Sequence, residues 1–202
     1  MVFPDLGPIE EWVLVGYGDA GIRSMPDKIN SVGGHVILLT NKKRGRACVL
    51  MWRSKKLLRK VVSSLAGEAL ACMTNIGELV YVKAVFTQIY GDSIKMVPTI
   101  VFTDSRNLFE SVYSSSLVED AWLIPDISII KEALEQGTIM SVKRVSSEDM
   151  LANCLTKAGT SADKLLDVLQ TGLYVIPSGL DDMQKDGKVS LHPSFPSYGS
   201  FS

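Results

Sequence analysis

The stretch Trp12–Asp19, read WVLVGYGD, constrains this chain more than any other. It is short, apolar and β-prone, and it ends on an acid. An apolar run of this length suits a strand covered on both faces of its sheet. Period two places Val13, Val15, Tyr17 and Asp19 on one face. The acid therefore closes a face that is otherwise core. Read alone, it is a strand-terminating turn, where Asp and Gly are common. Two further acids in similar settings change that reading.

The 202 residues and a hydrophobic content of 46% suit one globular domain with a proper core. The first fifteen residues hold Asp5, Glu10 and Glu11 and no base, unlike a signal peptide. Uninterrupted apolar runs fall short of the ~18 residues of a membrane span. The expectation is a soluble, intracellular chain with no membrane partner. Cys48, Cys72 and Cys154 form an odd, scattered set without CxxC, which argues against a disulfide framework and a zinc site. With His35 and His192 alone, a histidine triad or cage has little to build with. Charge is uneven although the net is −1: residues 28–67 hold ten bases and no acid, and the remainder holds all 22 acids. Such a field would attract a polyanion. A solvated edge strand kept soluble by lysines explains it equally well.

In chain order, strands are expected at 12–18, 33–40 and 46–52, joined by short links into an antiparallel meander. A basic lead-in, SKKLLRKVV, precedes a long helix at 63–89 with an apolar stripe through Leu65, Ala69, Cys72, Ile76 and Leu79. Glu68 sits beside that stripe. A fourth strand, 98–103, closes on Asp104 and feeds a helix over 105–115. Helix 118–136, strand 138–145 and helices 147–157 and 161–171 follow. The order gives an α/β fold: a mixed five-stranded sheet, three antiparallel strands then two parallel, flanked by helices. Residues 1–11 read as an N-terminal loop, 12–172 as the domain, and 173–202 as a disordered tail.

If strands one and four are parallel neighbours, Asp19 and Asp104 lie together at their carboxyl ends, where open α/β sheets bind ligands. A helix across them brings Glu68 to the same point. Three converging carboxylates repel unless a cation joins them. Hard oxygen donors without imidazole or thiolate suit Mg²⁺ or Mn²⁺. Two such ions about 4 Å apart would clamp a phosphodiester for in-line cleavage. The basic residues Arg53, Lys55, Lys56, Arg59 and Lys60, leading into the Glu68 helix, would contact phosphates.

The pieces YGDAG (17–21), GGHVILL (33–39), WRSKKLLRKVVSSLAGEALA (52–71), VFTDSRNLFESV (101–112), DISIIKEALEQGTI (126–139) and MLANCLTKAG (150–159) occur in an order and spacing that resembles one family. It is the ribonuclease H domain of copia-type retrotransposon (LTR element) reverse transcriptase polyproteins. The resemblance runs from about Phe3 to Gly172, and the 52–71 block is its most specific part. It implies a ribonuclease H-like fold and hydrolysis of RNA in RNA–DNA hybrids, with two Mg²⁺ or Mn²⁺ ions. By resemblance Asp19, Glu68 and Asp104 fall on three of four metal-binding carboxylates. It also implies an upstream reverse transcriptase domain as partner, and a cytoplasmic (element particle) or nuclear location.

The fourth carboxylate is where this chain departs: the family's "LAD" is here Leu151-Ala152-Asn153. Asparagine offers a neutral oxygen, a poorer ligand for a hard ion. The family's DxRxRxD also becomes DAWLIPD at 120–126. Weakened cleavage is the expectation. The alternative is a catalytically inactive nucleic-acid-binding or structural remnant of such a polyprotein. His35 is expected as a sheet histidine, the three tryptophans as core or rim aromatics, and Asp126 as a helix-supporting acid.

Overall fold

The computed structural model describes residues 1–22, 24, 30–41, 43–115 and 121–178. The sheet is built from β1 (Trp12–Gly21), β2 (Val32–Asn41), β3 (Arg46–Lys56), β4 (Thr99–Thr103) and β5 (Ser141–Arg144) in the order β3-β2-β1-β4-β5. β1 pairs antiparallel with β2, and β2 with β3, while β1–β4 and β4–β5 are parallel. This is the mixed sheet expected, with the first and fourth strands adjacent.

Both faces are covered, as the apolar first strand requires. α1 (Ser64–Tyr90), α2 (Arg106–Tyr113) and α3 (Ile124–Glu135) take one face. There Leu14, Ile37, Val101 and Val142 meet Cys72, Ile76, Leu79, Leu108 and Ile130. α4 (Asp163–Thr171) and the segment around residues 150–152 take the other, over Val15, Tyr17, Val36 and Phe102. The odd–even split of β1 and of β4 between two cores follows from the period-two pleat.

Ser63 caps α1, its hydroxyl accepting from the Ala66 N–H, and Gly91 ends it at φ 66°. Within Ser64–Met96 an 18-residue window has a mean hydropathy of 1.3, enough by length and composition alone to cross a membrane. Charged residues such as Glu78 and Lys83 still interrupt the helix, which holds no uninterrupted apolar run of that length. Its apolar residues from Ala69 to Val82 pack on the sheet.

Gly67 packs closely against the end of β1 and the residue after it. A Cβ there would lie 2.4 Å from Ile22 Cδ1 and 3.2 Å from Ala20 Cβ. Gly67→Val should therefore displace the Ile22 side chain and crowd Ala20. It should cost about 1–3 kcal/mol, as overpacking typically does, measured by urea unfolding; an unchanged midpoint would refute the close-approach account.

Several expected boundaries move. β3 continues to Lys56, so the first third of the basic lead-in is strand, because its backbone pairs with β2 as far as Val32↔Lys56. β5 is shorter than expected, Ser141–Arg144. The start of the expected helix at 118 lies outside the described residues. The helix expected at 147–157 is instead a series of tight turns with a 3-10 segment, Asn153–Leu155. Met150, Leu151, Ala152 and Asn153 are all buried in succession. The segment's backbone bonds reach back three residues, with the N–H groups of Asp149, Asn153 and Leu155 donating to the carbonyls of Ser146, Met150 and Ala152. Of the expected tail, residues 179–202 lie outside the described residues. Leu173 bridges to Arg46, and buried Tyr174 shares a 2.6 Å hydrogen bond with the Tyr17 hydroxyl.

Candidate metal centre

β1 runs past its neighbour. Its pairing with β4 stops at Tyr17↔Phe102, whereas its pairing with β2 continues to Gly21↔Val32. Asp19 is thus not the last strand residue, as the sequence suggests. It sits where β4 has ended and a gap opens beside β1. Asp104 follows β4 directly, and the cap of α2 is its neighbour Ser105, whose hydroxyl accepts from the Leu108 N–H. Asp104 is thereby left for another role. Glu68 enters from above in the second turn of α1.

One carboxylate oxygen from each of Asp19, Glu68 and Asp104 lies within 4.8 Å of the others. Asp19 is fully buried and Glu68 is 8% exposed. Both Asp19 oxygens are occupied: Oδ2 accepts from the Thr156 hydroxyl and Oδ1 from Lys157 Nζ at 3.2 Å. Asp104 Oδ2 accepts from Ser147 Oγ at 2.8 Å. Glu68 Oε2 is buried without a hydrogen-bond partner. A buried, unpaired oxygen on a carboxylate clustered with two others is what a hard cation would satisfy, so these residues fit a divalent ion. Burial, and then the charges of Asp19 and Asp104, push the Glu68 carboxyl up to about 8.

Asn153 faces the same centre. Its Nδ2 donates to the Ser147 carbonyl at 2.6 Å, which turns Oδ1 inward, where it accepts from Lys157 Nζ at 2.6 Å. The GG pair of β2 makes room for this segment: a Cβ on Gly34 would lie 2.7 Å from Thr156 Cγ2 and 2.9 Å from Leu155 Cβ. By residue type alone, nothing in the sequence marks Thr156 or Lys157 as a site residue. The available signal was the spacing Asn153-x-x-Thr156-Lys157, which brings both side chains to the asparagine's neighbourhood.

The expected phosphate contacts divide. Arg53 pairs with Glu78 at 2.7 Å and Arg59 pairs with the buried carboxylate of Asp126, so neither guanidinium is uncommitted. Both side chains are still part exposed, and any phosphate would share them with these carboxylates. Lys55, Lys56 and Lys60 are exposed and have no ion pair among the described residues. His35 is buried in the sheet, 3.8 Å from Glu78, and burial lowers its pKa. Trp122 is 84% exposed and Trp52 49%, so these two are rim residues.

No family model and no curated protein matches this chain. Solved structures do. LC11-RNase H1, isolated from compost by a metagenomic approach, aligns with TM-score 0.52 and 17% identity, over 76% of this chain and 98% of that one. The same enzyme in complex with an RNA/DNA hybrid aligns with TM-score 0.51 and 17% identity, over 76% of this chain and 99% of that one. The fold of this chain is ribonuclease H-like.

Proposed function

We propose that this chain is a divalent-metal-dependent ribonuclease H domain that hydrolyses the RNA strand of RNA–DNA hybrids. The observation that carries the reading is the meeting of Asp19, Glu68 and Asp104 at the open ends of β1 and β4, with Glu68 Oε2 left unpaired. In this reading the three carboxylates hold Mg²⁺ or Mn²⁺, and Asn153 stands as a neutral fourth donor. An ion held there supplies Lewis acidity toward a phosphodiester and lowers the pKa of water bound to it. Lys55, Lys56 and Lys60, at the exposed end of β3 and in the loop after it, take phosphates of the hybrid. Lys55, Lys56, His35, Arg53 and Arg59 border one groove between the sheet and α1, which gives the backbone a path. Support comes from the fold shared with a hybrid-binding ribonuclease and from the sequence resemblance to copia-type polyprotein domains. We place the chain in such a polyprotein, beside a reverse transcriptase domain, in the cytoplasm or nucleus.

A second reading, a catalytically silent hybrid-binding module, is favoured by Asn153 and by the Lys157 ammonium among the carboxylates.

Incubation with a labelled RNA–DNA hybrid separates the two. Cleavage in Mn²⁺ that stops in EDTA, with duplex DNA untouched, is expected. Salt-sensitive binding of the hybrid without cleavage by folded protein would replace the first reading with the second.

A further inference from the structure

Lys157 occupies an unusual place. Its ammonium lies 3.2 Å from Asp19 Oδ1, 2.6 Å from Asn153 Oδ1 and 3.9 Å from Asp104 Oδ2. It thus spans three of the four residues facing the centre. Asn153 is not free to turn away, since its Nδ2 is tied to the Ser147 carbonyl. Thr156 next to the lysine donates to the other Asp19 oxygen. The tight turn at 153–156 holds both groups in place, its Thr156 and Lys157 N–H groups donating to the Asn153 carbonyl. Glu68 Oε2, by contrast, has no partner. The cluster therefore has one side taken by an ammonium and one orphaned oxygen.

Charge counting gives this placement a consequence. With an ion bound, which favours the ionised form of Glu68, the three carboxylates carry three negative charges, and one divalent ion with one ammonium carries three positive. A second divalent ion would leave a large positive excess around Asp19, which is fully buried and poorly screened. A fourth carboxylate would have offset part of that excess, but Asn153 is neutral. We infer that the Lys157 ammonium is a built-in second cation of this centre, so that the chain binds one divalent ion rather than two. The inference rests on the metal-site reading above and changes its stoichiometry.

The test is a count of bound Mn²⁺ on the full chain. Isothermal titration and electron paramagnetic resonance should give one ion per chain, without the signal of a spin-coupled pair. Lys157→Ala, and the double variant Asn153→Asp with Lys157→Ala, should bind two and show the coupled signal. Lys157→Arg, which keeps the charge, should stay at one. Circular dichroism identifies any variant that fails to fold, and the native count and Lys157→Arg then decide the matter alone. Two ions on the native chain, no ion on any variant, or an unchanged count in folded Lys157→Ala would overturn the inference. One bound ion without hybrid cleavage would instead count against the nuclease reading and leave the stoichiometry standing.

Discussion

Asp19→Asn is expected to reduce hybrid cleavage by about 10³-fold in Mn²⁺, equivalent to about 4 kcal/mol of barrier. Asp19 is fully buried, so solvent does little to screen the charge it contributes to an ion beside it. The substitution preserves shape. An asparagine oxygen can still accept from Thr156 or Lys157, so the fold should persist and unfolding midpoints should move little. Asn153→Asp should move activity the other way, by about tenfold or more, because it returns a charged oxygen to a hard ion. A single experiment comparing the three proteins reads both effects. Cleavage by the native chain and none by Asp19→Asn identifies a working nuclease that tolerates a neutral fourth donor. Cleavage by Asn153→Asp alone identifies an intact scaffold silenced at one position. Equal rates in all three proteins would remove Asp19 from the reaction.

Between pH 4.5 and pH 8, measured in EDTA, the chain should lose stability as pH rises, through Glu68. Its carboxyl is raised from 4.5 to about 8 in the folded protein. The folded state therefore holds a proton that the unfolded state has released throughout that window. The contribution is fully present below 4.5 and is lost as pH passes through 8. Its size is on the order of 3–5 kcal/mol. His35 slopes oppositely below 6.5, since burial lowers its pKa and its protonation favours unfolding. The informative quantity is thus the difference from Glu68→Gln, which should lack the fall. Magnesium should also abolish it, because a bound cation favours the ionised carboxylate. Parallel pH profiles for the native chain and Glu68→Gln would refute the assignment.

Much of this architecture is written locally. β1 is legible because it is apolar on both faces. The Asp104 turn is legible because β4 ends on an acid and a helix follows. The position of Glu68 follows from the stripe of α1, in which Ala69, Cys72, Ile76 and Leu79 mark the buried side. What could not be read locally depends on tertiary partners. The turns at 147–157 carry enough apolar residues to suggest a helix, and their packing with β2 and α4 residues is a tertiary matter that no local pattern shows. Arg53 and Arg59 look like free cations until Glu78 and Asp126 come to face them. Lys157 is one lysine among many in the sequence. Its role comes from Asp19, 138 positions away. Tyr174 likewise has meaning only through Tyr17.

The parallel pairing of β1 with β4 has a kinetic consequence. Leu14 must find Thr99 after all of β2, β3 and α1 have been made, and Asp19 must then find Lys157. Closing long loops is entropically slow, and no contact within one hairpin rewards it in advance. The meander β1–β2–β3 can form first, whereas the carboxylate cluster cannot exist until β4 has docked. On the metal-site reading proposed above, cation capture would therefore mark completed folding. In a refolding experiment followed by both ellipticity and Mn²⁺ uptake, secondary structure should lead and metal capture should arrive last.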